Sequence, residues 1–140
     1  MKILFVDDER PVTDYFTLSA KAQGFTDIEV AASGDEAVSC ALHHQYDLIT
    51  LDIEMPGLSG LEVLSVVRNM CPHAIIAIIS GQIPPKVPGK VRELADVTIA
   101  KPIDQINFQQ LLRCTAKHRE NLDQIRALGE EISSQEECVD

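Results

Sequence analysis

The sequence predicts an open α/β fold, a parallel sheet with helices on both faces. Three observations carry this. Short apolar runs recur at Ile3 to Val6, Leu48 to Leu51, Ala74 to Ile79 and Val97 to Ala100, as in strands buried on both sides. Segments with apolar residues at helical spacing lie between them, so that strand and helix alternate five times. Most of the runs also break at their carboxyl end to a charged or hydroxyl side chain, the edge where such sheets bind ligands.

Taken in order, Ile3 to Val6 is the first strand, and Asp7-Asp8-Glu9 follows it. Pro11 suits the first turn of a helix, where its missing N–H costs nothing. Val12, Tyr15, Phe16, Ser19 and Ala22 supply that helix's apolar face, and Gly24 its stop. Ile28 and Val30 alternate with acids, as in a more exposed strand. Ser33 and Glu36 form a capping box, opening a helix with Ala37, Val38, Ala41 and Leu42 inward. The strand Leu48 to Leu51 ends at Asp52, and a loop with Pro56 and Gly57 leads to a second capping box, Ser59 with Glu62. That box opens a helix to about Met70. The run from Ala74 ends at Ser80-Gly81. Pro84, Pro85 and Pro88 then confine any fourth helix to about Lys90 to Ala95. The strand Val97 to Ala100 ends at Lys101-Pro102, and Asp104 can cap a last helix from Gln105 to about Leu128. From Gly129 onward the chain has five acids and no Lys or Arg, and fraying is expected there.

Composition narrows the function classes. With 140 residues, 45% hydrophobic and 24% charged, the chain has the balance of one soluble domain with a small appendage. No apolar run approaches the roughly 18 residues of a membrane span, and the N-terminus turns acidic too early for a signal peptide. A cytoplasmic location is expected. Cys40, Cys71, Cys114 and Cys138 lack zinc or disulfide spacing and read as small hydrophobes. The formal net charge of −10 argues against nucleic-acid and anionic-membrane partners. His43, His44, His73 and His118 read as surface residues rather than metal ligands.

In a parallel sheet the carboxyl ends of the strands share one edge. That edge receives Asp7 and Asp8, Asp52, Ser80 and Lys101. Carboxylates gathered in one pocket repel each other unless a cation sits among them. Mg²⁺ suits oxygen donors of this kind. Metal, ammonium and hydroxyl could together hold the oxygens of a phosphoryl group beside a carboxylate nucleophile.

Asp7-Asp8, the block from Leu51-Asp52 through Gly60, Ser80-Gly81 and Lys101-Pro102 resemble, in order and spacing, the receiver domain of two-component response regulators. The resemblance covers about Lys2 to Leu112. It implies a flavodoxin-like (βα)5 doubly wound sheet of strand order 2-1-3-4-5, here with an extended C-terminal helix. It makes Asp52 the phosphoacceptor, served by a histidine kinase or histidine phosphotransfer protein. Asp8 would bind Mg²⁺ directly, Asp7 close by, and the Glu54 carbonyl would complete the ligands. Ser80 becomes the switch hydroxyl, Lys101 the phosphate-sensing cation, and the Lys101-Pro102 bond cis. Gly81 and Gln82 follow the hydroxyl, with Gln82 and Glu54 flanking the path of hydrolytic water. Such a protein modifies itself and turns over no external substrate.

The sequence departs from that pattern in three places. Thr98 stands where the family has an aromatic switch residue, prolines occupy the fourth-helix region, and the final helix runs long. Residues 1–117 are therefore expected to form the receiver and 118–140 a helical extension with an acidic tail. In that extension Leu122, Ile125 and Leu128 are expected to lie beyond the sheet and to serve self-association or docking of a downstream protein. Two rival readings are a constitutive interaction module with secondary phosphorylation, and the front part of a longer regulator.

Overall fold

The computed structural model describes residues 1–57, 60–81 and 89–137, with side chains described to residue 129. The elements alternate without exception: β1 (Ile3–Val6), α1 (Arg10–Ala22), β2 (Ile28–Ala31), α2 (Gly34–His43), β3 (Leu48–Leu51), α3 (Gly60–Met70), β4 (Ile75–Ser80), α4 (Gly89–Leu94), β5 (Val97–Ala100) and α5 (Gln105–Glu137). All pairings are parallel, in the order β2-β1-β3-β4-β5. This is the flavodoxin-like arrangement, in which β1 and β3 lie at the switch point of the winding.

Alternation along the strands divides the core in two. Leu4, Val6, Ile49, Leu51, Ile76 and Ile78 face α2 and α3, packing on Ala37, Ala41, Val63, Leu64 and Val67. Ile3, Phe5, Leu48, Ala77 and Ile79 face α1 and α5, packing on Phe16, Ala20, Phe108 and Leu112. There Phe16 and Phe108 stack at 4.6 Å between ring centroids, with Phe5 tilted against both. The central strands are buried on both faces, and the edge strand β2 is more exposed, as its alternating sequence foretells. β5, expected to be buried on both sides, is also only partly covered, because it is the other edge of the sheet.

Local chemistry sets the helix ends. Pro11 lies in the first turn of α1, and Gly24, at φ +94°, ends the segment. Ser33 Oγ accepts from the Glu36 N–H at 3.1 Å, while the Glu36 carboxylate reaches the Ala32 N–H at 2.7 Å, one residue earlier than a standard capping box. Asp104 caps α5 by accepting from the Asn107 N–H at 2.7 Å. Ser59, the predicted cap of α3, and the prolines at 84, 85 and 88 lie outside the described residues.

Several expectations are corrected. The buried face of α1 is Thr13, Phe16 and Ala20, whereas Tyr15 and Ala22 are exposed. Thr13 can be buried because its hydroxyl donates to the Arg10 carbonyl at 3.1 Å. In α2, Leu42 is exposed and Cys40 takes the half-buried place beside Ala37 and Ala41. Cys71 is buried, but Cys114 is exposed rather than a core hydrophobe. The last helix continues to Glu137 instead of fraying at Gly129, since no proline follows to stop it.

Two polar clasps lock the sheet's amino edge. Asp47 accepts from the Lys2 N–H at 2.7 Å, and its other oxygen pairs with Arg119 of α5. Leu122, expected to lie clear of the sheet, is therefore drawn half-buried into a cleft beside Tyr46. On the opposite face Arg68 donates to the carbonyls of Leu94, Pro72 and Ala74 and to Asp96, whose carboxylate also accepts from the Ile76 N–H.

Candidate functional site

The carboxyl edge of the sheet gathers the polar residues that end its strands. Asp7 follows β1, Asp52 follows β3, Ser80 ends β4 and Lys101 follows β5. Asp7 and Asp52 are only 4% and 3% exposed, and Ser80 is fully enclosed. Carboxylates so deeply buried need partners, and both find them.

Asp52 is held at both oxygens. Oδ1 accepts from the Ser80 hydroxyl at 3.0 Å and from the Glu54 N–H at 2.8 Å. Oδ2 lies 2.9 Å from Lys101 Nζ. The same ammonium stands 2.6 Å from Asp7 Oδ2, while Asp7 Oδ1 accepts from the Glu9 N–H at 2.9 Å. Lys101, which follows the strand on the far side of β4, thus bridges two buried acids, and its peptide bond to Pro102 is cis.

Titration follows this geometry. Burial pushes the Asp7 carboxyl above its ordinary range, outweighing the downward pull of Lys101 and the Glu9 N–H, and the Asp52 charge adds to the rise. For Lys101 burial works against the charge, but hydrogen bonds to Asp7 and Asp52 prevail and hold its pKa above the ordinary lysine value.

Asp7, Asp8, Glu9 and Asp52 each offer an oxygen within 4.8 Å of the others. Asp8 and Glu9 are exposed, so the cluster has a buried floor and an open, acidic rim. An all-carboxylate donor set at a mouth that admits water fits Mg²⁺, which keeps several waters when bound. The sequence named Asp7, Asp8 and Asp52 for this role. Glu9 was missed as a member, although the acidic run Asp7-Asp8-Glu9 displayed it. Glu54 is exposed, its carboxylate oxygen 3.5 Å from where a side chain on Gly81 would begin, so Gly81 leaves room beside it.

The remaining predicted positions are less central. Thr98 is half-buried on β5, in register with Ile78 of β4. Pro102 is exposed next to Lys101. Gln82 lies outside the described residues. The four histidines are exposed, and among the described residues none joins a metal-like cluster.

Comparison with known proteins agrees with this arrangement. The response regulator receiver domain family matches residues 3–113. A CheY-like receiver domain protein from Methanospirillum hungatei JF-1 superposes with a TM-score of 0.79 at 21% identity, covering 86% of this chain and 96% of that one. Response regulator TrrA from Thermotoga maritima, solved in complex with Mg²⁺-BeF, gives 0.73 at 30% identity, covering 82% and 99%. Chemotaxis protein CheY4 of Vibrio cholerae gives 0.72 at 24% identity, covering 81% and 97%. With the family matched over most of its length, the chain belongs to the response regulator receiver domains of two-component signalling.

Proposed function

We propose that the chain is a phosphorylatable switch in which Asp52 accepts a phosphoryl group from the phosphohistidine of a histidine kinase or phosphotransfer protein. The observation that carries this reading is the fixing of the Asp52 carboxylate by Ser80, the Glu54 N–H and Lys101 in a pocket that opens onto an acidic rim.

An Asp52 oxygen attacks phosphorus as the N–P bond breaks. The bond's electron pair stays on the imidazole nitrogen, and the product is an aspartyl phosphate. Mg²⁺, held by Asp7, Asp8, Asp52 and the Glu54 carbonyl, would neutralise charge on the phosphoryl oxygens; the Mg²⁺-BeF complex of the Thermotoga relative supports this role. Lys101, already beside Asp52, supplies a fixed positive charge, and Ser80 donates its hydroxyl to a phosphoryl oxygen. Water attack on phosphorus later restores the carboxylate. The chain transforms no external metabolite, and its output is a changed affinity for a downstream protein. Thr98 has no ring to bury or expose, so that output does not use an aromatic rotamer at this position.

Incubation with a small phosphodonor and Mg²⁺ followed by intact-mass measurement tests the reading. One phosphoryl group is expected on wild type and none on Asp52→Asn. An unmodified wild type, or equal modification of the variant, overturns it.

A further inference from the structure

Beneath the amino edge of the sheet lies a cleft of about 250 Å³. Tyr46 and His73 line one side of it, and His118, Arg119, Leu122 and Arg126 of α5 the other. Five residues of extended chain, from Asp47 to Asp52, separate it from the phosphoacceptor by about 17 Å. In a chain of formal net charge −10, this cleft collects two arginines and two histidines against one acid, Asp47. That acid is taken by Arg119, which also holds Asp123 at 3.1 Å. Arg126 lines the cleft and has no hydrogen-bonding or ionic partner among the described residues.

The same helix carries the complementary charge. Residues 130–140 contain five acids and no Lys or Arg. Residues 130–137 do not turn back into their own cleft, because α5 is unbroken from Gln105 to Glu137 and carries them away along its axis at about 1.5 Å per residue. A second chain laid antiparallel reverses that direction. Its acidic segment then runs beside residues 119–126 of the first, and the two-fold axis makes the contact reciprocal and closed. Ile125 and Leu128, 63% and 59% exposed, lie on the stretch that such a pair would cover. Between the two halves stands Gly129, where an added Cβ meets nothing within 4 Å among the described residues.

We propose that the cleft is a docking site for the acid-rich segment 130–140 of a second copy, joining two chains antiparallel through their α5 extensions. The proposal does not rest on phosphorylation of Asp52. Sedimentation equilibrium of the full chain under reducing conditions tests it. Wild type is expected to dimerise, with a dissociation constant that rises with salt. Arg126→Glu, at an exposed position, is expected to weaken the dimer at least tenfold, and adding Glu130→Lys and Glu131→Lys to restore it. A wild type that stays monomeric overturns the proposal, even if it binds a labelled peptide of residues 130–140, for the cleft would then serve another protein's acidic segment. A dimer indifferent to Arg126→Glu excludes the cleft, and failure of the charge reversal to restore it excludes this occupant.

Discussion

Gly60→Ala should damage the molecule out of proportion to the single methyl added. A Cβ there would stand 2.6 Å from Ile53 Cβ, 2.8 Å from its Cα and 2.9 Å from its Cγ2. Carbon atoms settle at about 3.5–4.0 Å, so either α3 or the Ile53 backbone must retreat by roughly 1 Å. Overpacking of this kind costs about 1–3 kcal/mol. With a urea slope near 2 kcal/mol per molar, the midpoint should fall by about 0.5–1.5 M. Ile53 also sits between Asp52 and Glu54, whose N–H fixes Asp52 Oδ1 at 2.8 Å. Phosphorylation by a small phosphodonor should therefore slow as well. Because the contacts are with Cα and Cβ, adding Ile53→Ala should not rescue stability, whereas adding Ile53→Gly should recover part of the loss. Gly89→Ala, with nothing within 4 Å among the described residues, is the control and should change stability by no more than about 0.5 kcal/mol. A Gly60→Ala protein as stable as that control, or one rescued by Ile53→Ala, would refute the argument.

Other perturbations probe the charges. Mg²⁺ at about a hundred times its dissociation constant should stabilise the fold by roughly 2.7 kcal/mol, seen as a raised melting temperature; no response across a millimolar titration counts against the site. Lys101→Met leaves Asp7 and Asp52 without their shared cation and should cost about 3 kcal/mol in urea unfolding without metal, and less with Mg²⁺ present. Tyr46→Phe removes a 2.6 Å hydrogen bond to Glu29 and should destabilise by roughly 1–2 kcal/mol at neutral pH. The Tyr46 hydroxyl, with Lys2, depresses the Glu29 pKa below its ordinary 4.5, so this stabilisation is present above that value and is lost as pH falls through the depressed one. Paired urea curves from pH 7 to pH 3 should converge; a constant gap would disprove the linkage.

The sheet and its polar carboxyl edge could be read from the chain because both are written locally. An apolar run marks a strand, and the polar residue at its end must fall at the sheet's carboxyl edge, which brings Asp7, Asp52, Ser80 and Lys101 together. Helix faces were less legible. In α1 two overlapping stripes fit the spacing, and hydropathy could not foresee that Thr13 satisfies its hydroxyl within the helix and goes inward. Leu122 was misjudged because the Arg119–Asp47 clasp joins residues 72 apart, with no local trace in either segment. Gly129 and the acids after it suggested fraying, yet a glycine costs a helix only about 1 kcal/mol and does not by itself end one.

The fourfold grip of Arg68 on Leu94, Pro72, Ala74 and Asp96 has a mechanical consequence. It rivets the last turn of α4 and the entry to β5 onto the end of α3 and the start of β4. The six-residue α4 is then a lever about 9 Å long with its fulcrum at Leu94. With Leu94 pinned there and Val91 packed into the core, Gly89 is the end of α4 farthest from the pin. Replacing Arg68 would release that end of α4, so the placing of this face depends on a residue that takes no part in the bonds to Asp52.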